Sequence, residues 1–258
     1  MVNPLVITSR CVLDEAGLYE HIRLALLRGL PLVGEHPAHD GTAVLVGPGP
    51  SVKGQLENIK KHRENGDAIV AIKSAHDWLM ENDFPPDYAV AVEPQAKHEL
   101  WFKHKNQFTR YMIGSQCNPL TFDYLSDCKV FLWHLYIRQG QTYPPNSSLV
   151  TGGTTSGLRA ITLFYSIGFR NFHLYGFDSC LSEGQLRVGG TDNGDKQIEV
   201  ICGGETFITT PPMAAQASEF QNLFDCMPDI DIESHGYGII TKILEERLKS
   251  ANPDRETS

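Results

Sequence analysis

The segment Thr42–Ser51, TAVLVGPGPS, is an apolar run that ends at glycine and leads into a helical pattern. Four consecutive apolar residues before a glycine are typical of a buried strand. Pro50 suits the first turn of a helix, where its missing N–H would have had no partner. The segment therefore predicts a strand, a tight turn and a helix, and we expect the free N–H groups at the helix start to face an anion.

The same alternation of apolar runs and helical patterns continues along the chain. Strands are predicted at 42–46, 68–72, 88–92, 111–114, 129–134, 171–175 and 230–233, and helices at 12–29, 51–63, 158–167, 213–226 and 239–249. Such alternation implies right-handed βαβ units. We therefore expect a Rossmann-like α/β fold, with a mostly parallel sheet and helices on both faces.

The domain organisation follows from where these patterns begin and end. Residues 1–41 are expected to form an N-terminal helical extension, 42–250 the nucleotide-binding domain and 251–258 a disordered tail. The polar, glycine-rich stretch 179–205 is expected to be a long loop, and such a loop is typical of a lid, a binding segment or local disorder.

Composition and charge restrict the function. The chain has 258 residues, 41% hydrophobic residues and a net charge of −9. This charge disfavours a nucleic-acid partner, and the only basic cluster, Lys60–Arg63, is interpreted as the solvated end of a helix. No apolar run is long enough to cross a membrane, and the first residues lack a signal-peptide pattern. We expect a cytoplasmic protein, with homo-oligomerisation left open.

The turn after the first predicted strand is the first candidate binding site. Gly47, Gly49, Pro50 and Ser51 are expected to hold nucleotide phosphates, since glycine permits close backbone approach. Val52 departs from the G-x-G-x-x-G pattern, and no Walker A loop follows. The alternative is a tight turn without a ligand. On the binding hypothesis, Gly49→Val abolishes nucleotide binding and leaves the protein folded.

A second candidate anion site precedes the helix predicted at 158–167. It consists of Gly153, Thr154, Thr155 and Ser156, whose hydroxyl and N–H groups suit phosphate oxygens. The alternative is a helix cap without a ligand. Covalent catalysis by Ser156 is disfavoured, because the G-x-S-x-G elbow is absent.

Two carboxylates and two histidines are the candidate chemical groups. Glu93 and Asp178 each follow a predicted strand, and both are expected to be catalytic and to bind Mg²⁺. The alternatives are a solvated carboxylate at Glu93 and a helix-capping role for Asp178. His134 and His235 are candidate general bases. His235 is favoured, because it is expected in a loop after the strand at 230–233.

The chain resembles a family of proteins similar to archaeal 6-hydroxymethylpterin diphosphokinase, the MptE-like family. That family was once grouped as a domain of unknown function and also occurs in motility accessory factors. The resemblance extends over roughly 42–240, and the stretches that carry it are 44–51, 68–72, 86–94, 152–154, 174–178 and, more weakly, 203–210. It implies diphosphate transfer from ATP to a hydroxymethylpterin-like acceptor, with Mg²⁺ as cofactor. Glu93 stands where that family tends to have Asp.

The glycine turn, Thr155-Ser156-Gly157 and Gly176-Phe177-Asp178 are also similar to bacterial sialyltransferases that use a CMP-sugar. That resemblance implies a glycosyltransferase with a nucleotide-sugar donor and a late catalytic histidine. No histidine lies between His173 and His235, where one is expected. A third alternative is a catalytically silent module that binds a nucleotide or a partner.

Overall fold

The computed structural model describes residues 13–136, 143–145, 147, 149–182, 185, 187 and 196–251. Its centre is an eight-stranded sheet in the order β10-β7-β1-β2-β3-β4-β5-β6, in which every neighbouring pair is parallel. The strands are β1 Thr42–Val46, β2 Ala68–Ile72, β3 Tyr88–Ala91, β4 Arg110–Gly114, β5 Lys129–Leu135, β6 Leu149–Val150, β7 Asn171–Tyr175 and β10 Asp231–His235. A separate antiparallel hairpin contains β8 Ile198–Cys202 and β9 Glu205–Thr209.

Helices cover both faces of this sheet: α1 Glu15–Leu26, α2 Leu56–Glu64, α3 Ala75–Glu81, α4 Pro119–Tyr124, α5 Ser156–Ser166, α6 Pro211–Cys226 and α7 Ile239–Ala251. Successive residues of a strand point to opposite faces. Ala43 and Leu45 of β1 accordingly pack with α5, α6 and α7, while Val44 and Val46 pack with α2 and α3. The Rossmann-like α/β prediction is confirmed.

The strand order changes direction between β1 and β7. From β1 the chain builds the sheet outward to β6, and it then returns to place β7 on the other side of β1. Loops on the two sides of such a switch point diverge and leave a crevice at the carboxyl ends of the strands, where ligands of this fold class bind. Gly47–Ser51 follows β1 there, and Gly176–Asp178 follows β7.

The residues before β1 pack against the far side of the sheet. Leu32 forms a parallel bridge with Leu132 of β5, and the Val33 N–H donates to the Leu132 carbonyl at 2.8 Å. Helix α1 also contacts α4. Among the described residues, no helix has the length and apolar character that crossing a bilayer requires.

Three local expectations were wrong. The helix predicted at 51–63 is divided into a short 3₁₀ helix, Pro50–Gly54, and α2. His235 is the last residue of β10 rather than part of a loop. The stretch predicted as loop to residue 205 contains β8 and the start of β9, because Gly203 and Gly204 both adopt positive φ angles, 54° and 78°, which suits a tight hairpin turn.

Candidate active site

The N–H groups of the Gly47–Ser51 turn are already paired with protein acceptors. The Gly47 N–H donates to the Tyr175 carbonyl at 2.7 Å, and the Gly49 N–H donates to the Gly176 carbonyl at 2.9 Å. The Ser51 N–H donates to Asp178 Oδ2 at 2.9 Å. The expectation that these groups are free to face an anion was wrong, because the loop after β7 supplies their acceptors.

Asp178 acts as the cap of the 3₁₀ helix. Besides the Ser51 N–H, it accepts a hydrogen bond from Ser51 Oγ at 2.5 Å. The residue is only 3% exposed, and burial raises the pKa of its carboxyl group. The Asp178 carboxylate therefore lies where an anion would otherwise meet the start of this helix.

Gly47 and Gly49 are required by close packing of the two loops. A Cβ atom on Gly49 would lie 2.5 Å from the Gly176 carbonyl oxygen and 2.7 Å from Asp178 Oδ1, and one on Gly47 would lie 2.6 Å from the same carbonyl. This geometry argues against the expectation that Gly49→Val leaves the protein folded, because the side chain would overlap backbone that cannot move independently.

The start of α5 presents a different arrangement. Thr155 caps this helix and accepts from the Leu158 N–H at 3.4 Å. The Thr154 N–H and hydroxyl both donate to Glu219, at 2.9 and 3.0 Å. The first N–H groups of a helix have no acceptor within it, and those of Ser156 and Gly157 donate to no backbone carbonyl in the described part of the chain.

Ser156 adds an unpaired hydroxyl to this helix start. The residue is 6% exposed, and its Oγ has no hydrogen-bond partner within the described part of the chain. The same turn lies beside the loop after β7, because a Cβ atom on Gly157 would be 2.9 Å from the Phe177 ring. Of the two predicted anion sites, the one at α5 therefore retains unpaired donors.

Ser179, directly after Asp178, carries a second unpaired hydroxyl. It is buried, and its Oγ also lacks a partner among the described residues. Its φ angle is 54°, a conformation that is strained for a non-glycine residue and is concentrated at functional sites. The Ser179 carbonyl accepts from Thr209 Oγ1 at 2.7 Å, which ties the strained residue to the β8–β9 hairpin.

A second group of polar side chains follows β2, β3 and β4. Lys73 Nζ lies 3.2 Å from Glu93 Oε2. Desolvation lowers the pKa of Lys73, and the Glu93 charge opposes this effect. Gln116 is 2% exposed, and neither its amide oxygen nor its amide nitrogen has a partner within the described residues.

His134, near the end of β5, belongs to the same edge of the sheet. Its Nδ1 lies 2.9 Å from Ser115 Oγ, and its buried Nε2 has no partner within the described residues. Burial lowers the pKa of His134 to about 4. The imidazole is consequently neutral near pH 7, and it suits hydrogen bonding better than proton abstraction.

Glu93 and Asp178 do not fit a shared Mg²⁺ site. Glu93 follows β3 and Asp178 follows β7, and β1 and β2 lie between these strands. Three strand spacings correspond to about 14 Å, whereas carboxylates that share a magnesium ion each lie about 2 Å from it. Each has its own protein partner instead, Lys73 for Glu93 and Ser51 for Asp178.

His235 lies in a histidine cluster on the α2 side of the sheet. Its Nε2 is 2.7 Å from His173 Nδ1. The His62 and His173 rings are tilted by 49° to each other, with centroids 4.4 Å apart. Burial lowers the pKa values of His173 and His235, with a further contribution from the neighbouring histidines. A pocket of about 290 Å³ lies there, lined by Asn58, Lys61, His62, Asn65, Tyr175 and His235.

The interpretation of Lys60–Arg63 as a solvated helix end was wrong for His62. Its Nδ1 lies 2.7 Å from Asp67 Oδ2 and its Nε2 lies 3.0 Å from the Tyr175 hydroxyl. His173 is a further member of this cluster that was not among the candidates from sequence. No local spacing pattern marks these residues, because α2, β7 and β10 bring them together from distant parts of the chain.

Three further polar residues were missed although the rule that found Glu93 applies to them. Lys73, Gln116 and Ser179 each stand within four residues after a strand of the sheet. In parallel sheets such positions lie at the carboxyl edge, where ligands bind. The candidates from sequence were carboxylates, histidines and glycine turns with their neighbouring hydroxyl groups, whereas an isolated lysine, glutamine or serine after a strand belongs to no such motif.

A family model matches more than half of the chain. Residues 30–184 match the family model described as 6-hydroxymethylpterin diphosphokinase MptE-like. The matched range contains β1 to β7 together with Ser156 and Asp178. No curated protein sequence matches the chain.

Comparison with solved structures finds matches that include a glycosyltransferase and a sialyltransferase. The MAf glycosyltransferase from Magnetospirillum magneticum AMB-1 superposes with a TM-score of 0.63 at 16% identity, over 85% of this chain and 37% of that protein. This chain therefore spans little more than a third of the glycosyltransferase's length. A mammalian sialyltransferase in complex with a galactosyl-N-acetylgalactosamine derivative gives a TM-score of 0.44 at 11% identity, over 88% of each chain.

Proposed function

The chain belongs to the 6-hydroxymethylpterin diphosphokinase MptE-like family, and on this premise we propose that it transfers diphosphate from ATP to a hydroxymethylpterin-like acceptor. One observation carries the proposed position of the nucleotide. The start of α5, beside the switch point of the sheet, holds the buried hydroxyl of Ser156, which has no hydrogen-bond partner among the described residues.

The phosphates of ATP bind at the start of α5 in this proposal. A helix start attracts anions through its unpaired N–H groups and its dipole. Ser156 and Gly157 supply these groups, and the hydroxyls of Ser156 and Ser179 supply two further donors. The Gly47–Ser51 turn has a supporting role, because its N–H groups and the Asp178 carboxylate hold the β1 and β7 loops together.

The acceptor binds over β3, β4 and β5. A pterin ring presents hydrogen-bond donors and acceptors side by side along one edge, and the Gln116 amide offers one group of each kind. Glu93 lies beside this position and can accept from ring N–H groups or from the reacting hydroxyl. The neutral His134 adds a hydrogen-bonding nitrogen on the same edge.

The reaction forms one bond and breaks another. The hydroxymethyl oxygen of the acceptor attacks the β-phosphorus of ATP, and the bond from that phosphorus to the α–β bridging oxygen breaks. AMP leaves, and the hydroxyl proton is released. Magnesium, where present, neutralises charge on the phosphates, and we propose that it arrives with ATP, because Glu93 and Asp178 do not form a joint site.

An assay of AMP formation tests this proposal. The protein is incubated with ATP, Mg²⁺ and 6-hydroxymethyl-dihydropterin, and the products are separated by chromatography. We expect AMP and the pterin diphosphate in equal amounts, with no AMP when the acceptor is omitted. Absence of AMP across Mg²⁺, Mn²⁺ and Co²⁺ would rule out the diphosphate transfer.

A glycosyltransferase that uses a nucleotide-sugar is the second candidate. The observation that favours it is the fold shared with the MAf glycosyltransferase, a fold whose carboxyl edge also suits a nucleotide-sugar. Thermal melting with ATP, CMP and UDP distinguishes the two functions, since a ligand at 100 times its Kd stabilises by about 2.7 kcal/mol. Stabilisation by CMP or UDP and not by ATP favours glycosyl transfer. No shift with any nucleotide favours a silent binding module.

A further inference from the structure

We propose that His62, His173 and His235 form a binding site for a divalent transition-metal ion of the zinc class. The site lies on the α2 face of the sheet, at the β7–β10 edge. It is separate from the proposed nucleotide site, and it does not depend on the proposed function. Register places His235 beside Tyr175 and Glu233 beside His173, so that these side chains share one face.

The ligand atoms are close to the spacing that a metal requires. One nitrogen from each histidine lies within 4.8 Å of the other two, and His173 Nδ1 and His235 Nε2 are 2.7 Å apart. Tetrahedral zinc with Zn–N bonds of 2.0–2.1 Å sets its ligand nitrogens about 3.3 Å apart. Small rotations of the three rings therefore bring them around one ion.

Asp67 orients His62 as an outer-shell carboxylate does in known metal sites. Its Oδ2 lies 2.7 Å from His62 Nδ1, which places the proton on Nδ1 and makes Nε2 the acceptor. The Tyr175 hydroxyl now lies 3.0 Å from this Nε2, and the ion would take its place. A carboxylate on the second nitrogen of a ligating histidine fixes the tautomer and raises the basicity of the ligand. A hydrogen bond between His173 and His235 alone would not require a third histidine that a carboxylate holds in position.

Glu233 supplies the fourth ligand in this proposal. Its Oε2 lies 3.7 Å from His173 Nδ1 and 4.0 Å from His235 Nε2, and its side chain is 64% exposed and can turn inward. Three imidazoles and one carboxylate suit zinc and its neighbours, whereas magnesium and calcium prefer oxygen ligands throughout. These four ligands therefore favour zinc and similar transition-metal ions over magnesium and calcium.

The ion would connect α2, β7 and β10, next to the switch point between β7 and β1. His235 precedes Gly236, whose added Cβ would lie 2.5 Å from Ser51 Oγ, and Tyr175 precedes the loop that carries Asp178. A metal that holds α2, β7 and β10 together would stabilise the ends of strands from which the proposed nucleotide site is built. We therefore expect the ion to raise the melting temperature with no nucleotide present.

Metal binding by the chain without an affinity tag tests the proposal. Chelator-treated protein is dialysed against Zn²⁺, and bound metal is counted by mass spectrometry. We expect one ion per chain, and a visible Co²⁺ spectrum typical of tetrahedral coordination. His62→Gln, His173→Gln and His235→Gln should each remove the ion at equimolar metal.

Two further variants make the result specific. Asp67→Asn keeps all three histidines and should weaken zinc binding by about 10–100-fold, and it remains informative if a histidine variant does not fold. His36→Gln, at an exposed histidine outside the cluster, should bind zinc like the wild type. The proposal is overturned if wild-type protein retains no zinc, or if His173→Gln and Asp67→Asn bind it as tightly as the wild type.

Discussion

Ser156→Ala should stabilise the protein while it weakens nucleotide binding. The Ser156 hydroxyl is buried and has no partner among the described residues, and an unpaired buried hydroxyl costs about 1–3 kcal/mol. Its removal leaves a methyl group in the same space. The free energy of unfolding should therefore stay the same or rise, by up to about 1 kcal/mol after the loss of some packing.

The same substitution removes a donor to ATP. A hydrogen bond to a charged group contributes about 1.5–3 kcal/mol, which corresponds to about a tenfold to hundredfold increase in the Kd for ATP. Calorimetric titration with ATP and Mg²⁺ measures this change, and urea unfolding measures stability.

Ser51→Ala is the matched control. Its hydroxyl donates to Asp178 at 2.5 Å, so its loss should lower the free energy of unfolding by about 1.5–3 kcal/mol. The two serine variants should thus change stability in opposite directions. The reasoning is refuted if Ser156→Ala destabilises the protein as Ser51→Ala does, or if its affinity for ATP stays within twofold of the wild type.

Three other predictions concern packing, pH and charge. Gly49→Ala should lower the free energy of unfolding by about 1–3 kcal/mol through overpacking, while Gly54→Ala, which meets nothing within 4 Å, should be neutral in the same thermal melts. The low pKa of His134, about 4 in the fold against 6.5, contributes stability above pH 6.5 that is lost as pH falls towards 4. The free energy of unfolding, measured by urea denaturation across this window, should fall by up to about 3 kcal/mol more for the wild type than for His134→Gln. Removing the Lys73 or the Glu93 side chain alone should lower the free energy of unfolding more than removing both, because each single change leaves one charge without its partner. The coupling energy in the double-mutant cycle should be at least about 1 kcal/mol. If the effects of the two single changes simply add, the ion pair is contradicted.

The parallel sheet could be predicted, apart from the two-residue β6 Leu149–Val150, because its other strands each carry a signal in the sequence. Residues 43–46 and 69–72 are short apolar runs that are buried on both faces of the sheet, as parallel strands require. The β8–β9 hairpin was not predicted, because the many glycines around it suggested a long loop. The paired positive φ angles at Gly203 and Gly204 are the local cause of the turn.

The candidate site was harder to predict, because its details depend on distant partners. The Gly47–Ser51 turn has the composition of an anion site, yet Asp178 lies 127 residues away and pairs with Ser51. The glycines there reflect contact between two loops rather than contact with a ligand. Sequence position alone placed Glu93 and Asp178 at one edge, but the strand order puts two strands between them.

The histidine cluster is the part of the structure that local sequence patterns predict least. His62, His173 and His235 belong to three elements and follow no metal-binding spacing. Their proximity depends on β10 adding beside β7 and on α2 packing over that edge. Neither arrangement can be read from a local pattern.

A crystal structure with a non-hydrolysable ATP analogue and Mg²⁺ tests the central claim most directly. The account predicts phosphate oxygens within about 2.7–3.2 Å of Ser156 Oγ and of the Gly157 N–H, with the Ser51–Asp178 hydrogen bonds intact. Phosphates that displace Asp178 from Ser51 and bind the Gly47–Ser51 turn, or a nucleotide bound away from α5, would contradict it.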